Sequence, residues 1–179
     1  MRTQKKQQEV NTDEVKRKHR EGLFNNVSFL IWQHIKEAER LINEPTEAAM
    51  LFHESNFIGS QWDIYNATGY SSTMPLFYFH FQEVPYEVKA CDVKDVVELM
   101  REVINGMGLA TETIVISLIY LEMLMKCTKI EIRYINWKPL LFTSILLASK
   151  FWEDINFWNV DYEDHLNLYD LKAINRMES

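Results

Sequence analysis

The stretch Thr143-Ser-Ile-Leu-Leu-Ala-Ser-Lys-Phe-Trp-Glu-Asp-Ile-Asn-Phe-Trp-Asn-Val-Asp-Tyr162 decides the fold of this 179-residue chain. Its first half is apolar on nearly every side, the pattern of a central, buried helix. Its second half is a short acidic and aromatic turn leading into another helix. Lys150 stands at the junction, and lysine is almost never fully buried without a partner. The lysine therefore calls for an acidic group from elsewhere in the chain.

Around this centre the helical spacing is regular. Asn136 is expected to cap the helix, with Pro139 in its first turn, where proline is tolerated. The expected inner face is Trp137, Leu140, Leu141, Ser144, Leu147, Ala148 and Phe151. Upstream, Val93, Val96, Val97, Met100, Val103, Ile104 and Met107 form one apolar stripe, opposite Lys94, Asp95, Glu98, Arg101 and Glu102. Asp92 is its expected N-cap, and Gly106 and Gly108 are placed to end it. Residues 111–126 read as a mostly apolar helix, in which Glu122 faces Lys126 four residues on. Residues 127–135 alternate like a strand but have no evident partner strand, so a loop is expected. Downstream, Asn159 is expected to cap a short helix holding Tyr162 and Leu166. Asn167 and Asp170 are expected to open a last helix with the seam Leu168, Leu171, Ile174 and Met177.

The amino-terminal half is less regular. Residues 1–21 lack helical periodicity and hold the run Lys16-Arg-Lys-His-Arg20, which reads as a solvated, disordered basic tail or as a patch for nuclear import or an acidic partner. Residues 27–42 carry a helical stripe, with Asn26 as cap and Pro45 beyond its end. A short helix from Thr46 to His53, capped by Thr46, follows. Residues 57–86 read as a loop-rich connection, punctuated by Gly59, Gly69, Pro75 and Pro85.

Composition narrows the function. A hydrophobic content of 47% suffices for a core. Residues 1–20 carry seven Lys/Arg against three Asp/Glu, and the remainder 12 against 23. An acidic body argues against nucleic acid as its ligand. No secretory signal or apolar run long enough to span a membrane is evident. Arg2 stands where N-myristoylation requires glycine. Cys91 and Cys127 match no metal or disulfide pattern and read as reduced thiols of an intracellular protein, cytoplasmic or nuclear.

No catalytic constellation emerges. Gly106-Met-Gly108 lacks the Lys-Ser/Thr of a phosphate loop, and the five histidines have no metal-ligand spacing. Glu153, Asp154, Asp161, Glu163 and Asp164 cluster, but acidic side chains belong at helix N-termini, so they read as a solvated rim. No cofactor or metal is expected. The aromatics Trp137, Phe151, Trp152, Phe157, Trp158 and Tyr162 are read either as core or as an interaction surface, where Trp and Tyr are enriched.

Four ordered motifs carry a resemblance: Tyr120-Leu-Glu-Met-Leu124, Asn136-Trp-Lys138, Ile145-Leu-Leu-Ala-Ser-Lys150 with Trp152 and Asp154, and Trp158-Asn-Val-Asp-Tyr162. Together they are similar to the cyclin family, and most closely to its cyclin Y-like subgroup, over about residues 87–179. Leu30-Ile-Trp-Gln-His-Ile-Lys36 is a weaker echo of the same subgroup. The resemblance implies an all-α fold, with a partial cyclin box at 87–179, a helical then irregular extension at 22–86, and the tail at 1–21. It implies a non-catalytic subunit that binds and activates a cyclin-dependent-type kinase, of the PFTAIRE/PCTAIRE-like class. A cyclin-fold adaptor or truncated isoform that activates no kinase is the alternative. In cyclins the lysine ending the third helix pairs with a glutamate of the fifth, and the pair contacts the kinase main chain. Here these are Lys150 and Glu178, with Leu147, Phe151 and Trp152 beside them on the kinase-binding face. The family's first-helix arginine falls near Val93, so its pairing with Glu122 is expected to be missing. The substrate-docking Met-Arg motif would fall at Asp92-Val93; Met100-Arg101 comes about two turns too late. The fifth helix is expected to be incomplete after Glu178, without a second repeat.

Overall fold

The computed structural model describes residues 2–41, 44–58 and 88–179, with residues 2–13 given by their backbone alone. Seven α-helices form among the described residues, and no strand does. They are α1 (Arg2–Arg40), α2 (Glu47–Leu51), α3 (Val93–Gly106), α4 (Glu112–Thr128), α5 (Trp137–Trp152), α6 (Asn159–Leu166) and α7 (Leu171–Glu178). A 3-10 turn at Glu54–Asn56 follows α2. The expected irregular connection lies, from residue 59 onward, outside the described residues.

Helix α5 is the hub. It packs most extensively on α4 and also against α3, α7 and the 3-10 turn. Every residue from Leu140 to Leu146 is buried, which explains why its apolar character runs all round. Fully burying one such aliphatic side chain stabilises the fold by about 1.5–3 kcal/mol. The burial stops on one side near the end. Leu147 is 38% and Phe151 71% exposed, so these two do not belong to the inner face as the spacing suggested.

The neighbours form as their local chemistry directs. Asp92 and Asp95 make a capping box at the start of α3, and Val96, Val97, Met100, Val103 and Ile104 are buried along it. Gly108 adopts φ +66° just past its end, a conformation open to glycine at little cost. Lys126 meets Glu122 at 3.4 Å on α4, as their i,i+4 spacing requires. Residues 129–133 form no regular element, in keeping with the expected loop, and bury Ile130 and Ile132. Thr46 caps α2 by accepting from the Ala49 N–H.

Helix α1 departs from expectation. It begins at Arg2, so the stretch expected to be a disordered tail is helical, and Asn26 lies inside the helix rather than at its cap. The 39 residues span about 58 Å at 1.5 Å per residue. Lys, Arg, Gln and Glu are good helix formers and no proline interrupts them, so the backbone continues without an apolar stripe. Glu14 and Lys18 pair at 2.9 Å along this part. From Phe24 onward the helix has a core face of its own: Phe24, Val27, Ser28, Ile31, Ile35 and Ala38 are buried against α3 and α4. Polar struts tie it down. Arg101 of α3 meets Glu21 at 2.8 Å, Arg20 donates to Asn105 and to the Leu109 carbonyl, and the Trp32 indole donates to the Cys91 carbonyl.

Candidate functional site

The chain leaves its core where α5 ends. Ser149 is fully buried, and its hydroxyl donates to the Leu146 carbonyl while meeting the Tyr162 hydroxyl. Tyr162 stacks edge-on against Phe142 and Phe157, which anchors α6 to the end of α5. Burial pushes the Tyr162 phenol up to about 12, with the Ser149 bond acting against it. One residue further, the backbone carries Lys150 to the surface.

There Lys150 Nζ meets Glu178 Oε1 of α7 at 2.6 Å, the pairing that the resemblance implied. The same ammonium donates to Asn159 Oδ1 at 2.6 Å. Asn159 in turn donates through Nδ2 to Glu178 Oε2 and to Asn175 Oδ1, both at 2.7 Å. A closed triangle of lysine, carboxamide and carboxylate thus joins α5, α6 and α7. The bonds from Lys150 and Asn159 hold the Glu178 carboxyl below the usual carboxylate range, because both favour its charged form. The side chains of Lys150 and Glu178 are 27% and 33% exposed. Water reaches the pair, so it is no buried ion pair, and breaking it costs about 1 kcal/mol or less, not the larger penalty of a stranded charge.

Apolar side chains close to Lys150 and Asn159 in the sequence are exposed. Leu147, Phe151 and Trp152 are exposed on α5, and Ile155 and Trp158 are exposed on the turn beyond it. Phe151 touches Tyr120 of α4 edge-on, with ring centroids 6.5 Å apart. The aromatics therefore divide: Trp137 and Tyr162 join the core, Phe157 is half-buried, and Phe151, Trp152 and Trp158 face outward.

The asparagines depart from their expected roles. Asn136 sits at the N-cap position of α5 without capping it; its buried carboxamide accepts from the Arg133 N–H and donates to the Ala49 and Glu131 carbonyls. The cap of α6 is Trp158, whose N–H is taken by Asp161, which frees the Asn159 side chain for the triangle. Asn167 ends α6 in the left-handed region at φ 53°, and Asp170 alone caps α7 through the Ala173 N–H. Leu168 correspondingly precedes α7 instead of opening its seam, while Ile174 and Met177 are buried in it. The only local clue to Asn159 was an asparagine beside an aromatic turn, and that clue is shared by ordinary caps.

The acidic cluster has structural work. Glu153 Oε1 accepts from the Ala110 N–H and the Thr113 hydroxyl at the start of α4, and Glu163 accepts from the Leu171 N–H at the start of α7. With Asp161, three of the five carboxylates serve helix N-termini, where their charge is favoured. Among the described residues no group of His, Cys, Asp and Glu is placed to hold a metal ion. No helix of the described residues is long and apolar enough to cross a membrane.

The described residues thus form an all-α domain with a polar triangle at the end of its central helix. The family model of the cyclin N-terminal domain matches residues 79–179, more than half of the chain, and the chain belongs to that family. The match begins eight residues before the boundary at 87 expected from the motifs. No solved structure matches the chain. Cyclins are generally non-catalytic regulatory proteins whose domain binds kinases, and membership points to a regulatory, cyclin-type role.

Proposed function

We propose that this chain is a cyclin Y-like regulatory subunit that binds and activates a PFTAIRE/PCTAIRE-like cyclin-dependent-type kinase. One observation carries the reading: Lys150 and Glu178 meet at 2.6 Å, with Leu147, Phe151 and Trp152 exposed beside them. Exposed apolar side chains next to a few fixed polar groups suit an amphipathic helix laid against them. Lys150 has three N–H donors and uses two, so one is left for a main-chain carbonyl of the partner. Docking there would hold the kinase's regulatory helix inward and complete the Lys–Glu pair that kinases need for phosphoryl transfer.

The test is co-purification with such a kinase. Wild-type chain is expected to retain it and Lys150→Glu to lose it, because the substitution sets two carboxylates against each other. Equal retention by the variant would reject the surface. A phosphotransfer assay on the complex then reads activation: stimulated transfer supports a regulatory subunit, and binding without stimulation supports an adaptor.

A further inference from the structure

Asn159 does something that neither its helix nor the core requires. Helix α6 is started by Trp158 and Asp161 without it, and its side chain makes its bonds to Lys150, Asn175 and Glu178. A surface Lys–Glu pair by itself is held by two long, flexible side chains and is readily exchanged for water. Asparagine has a short stem and carries an acceptor and a two-proton donor on one planar group. Here the acceptor faces the ammonium, one side of the donor faces the carboxylate, and the other is held by Asn175. Aspartate would fill the same space but would place a second negative charge against Glu178.

We propose that Asn159 is a positioning residue of the docking surface, locking Lys150 to Glu178 across three helices so that the pair meets a partner preformed. The inference rests on the docking role assigned to that pair. Preorganisation lowers the ordering cost of binding, so its loss weakens affinity without removing a direct contact.

The experiment uses the full chain and a PFTAIRE/PCTAIRE-like kinase, with binding measured calorimetrically for Asn159→Ala, Asn159→Asp and Lys150→Met, each alone and with the first and last combined. Carbon-detected titration of the Glu178 carboxyl is run on the same proteins without kinase. Asn159→Ala is expected to bind about tenfold more weakly, in line with the loss of a hydrogen bond to a charged group. Its Glu178 carboxyl should titrate closer to the ordinary carboxylate range. In the Lys150→Met background the same change is expected to cost little more, because Asn159 acts through the pair. Full additivity would indicate a separate structural role and overturn the proposal. Asn159→Asp is the variant of matching shape; wild-type affinity with unchanged Glu178 titration would equally overturn it. If Lys150→Glu weakens binding while both Asn159 variants bind like wild type, only the positioning role fails. If Lys150→Glu binds like wild type, the docking surface itself fails, and the positioning role with it.

Discussion

Lys150 and Glu178 are joined by charge, but their exposure decides what the charge is worth. Because Glu178 is held below its ordinary range in the folded chain, the unfolded chain binds its proton first as pH falls. The pair's stabilisation is therefore present above the unfolded carboxylate value and disappears as pH drops through the folded one. Urea denaturation of wild type and Lys150→Met should differ by about 1 kcal/mol or less at pH 7, and the difference should vanish as the pH falls through the folded Glu178 value. Tyr162 works in the opposite sense. Its phenol is raised to about 12, so the folded chain keeps a proton that the unfolded chain gives up near pH 10. Its contribution is complete below about pH 10 and lost as pH rises toward 12. Tyr162→Phe should flatten that alkaline loss in a stability–pH profile, at a cost near neutrality of about 1 kcal/mol for the Ser149 bond. The cysteines differ by position: Cys91 is buried and pushed up to about 11 by burial, whereas Cys127 is exposed. A thiol reagent at pH 7.5 should label Cys127 rapidly and Cys91 only after denaturation.

At the scale of elements, α5 carries two functions in sequence, core first and surface last. Ile145 is fully buried and Phe151 largely exposed, six residues apart on one helix. Ile145→Ala is expected to destabilise the chain by about 2–5 kcal/mol in chemical denaturation, through lost burial and the cavity left behind. Phe151→Ala should stay within about 0.5 kcal/mol of wild type while weakening kinase retention. The helical stripe of α3 was legible because burial there follows a period of 3.6 residues. The three asparagines near helix starts were not. A short amide side chain caps a helix, tolerates the left-handed region, or bridges remote groups with comparable ease. Asn136 and Asn159 bridge because Ala49, Glu131, Lys150 and Glu178 lie beside them in space, and no local pattern encodes those neighbours.

For the whole molecule, α1 matters most. Its buried face from Phe24 to Ala38 completes the core over α3 and α4, although it lies upstream of the matched family region. A chain starting at residue 20 should keep a melting temperature within a few degrees of the full chain, since it retains that face and Arg20. A chain starting at residue 88 exposes the apolar stripes of α3 and α4, and should lose cooperative melting or aggregate. Calorimetry of the two fragments checks both outcomes. The polar strut of Arg20, Glu21 and Arg101 is kept in the first fragment and lost in the second.

The sequence by itself determined that the domain is helical, where α3, α4 and α5 run, and that a lysine stands at the end of the central helix; its need for a partner, argued from burial, is not what the pair's exposure shows. The helical properties are local, set by side-chain periodicity and capping chemistry. Only the tertiary structure decided that α1 packs as part of the core, that α5 opens to solvent from Leu147 onward, and that Asn159 stands between Lys150 and Glu178. Those properties depend on which helices come together, and residues far apart in the chain meet only once the core has brought them side by side.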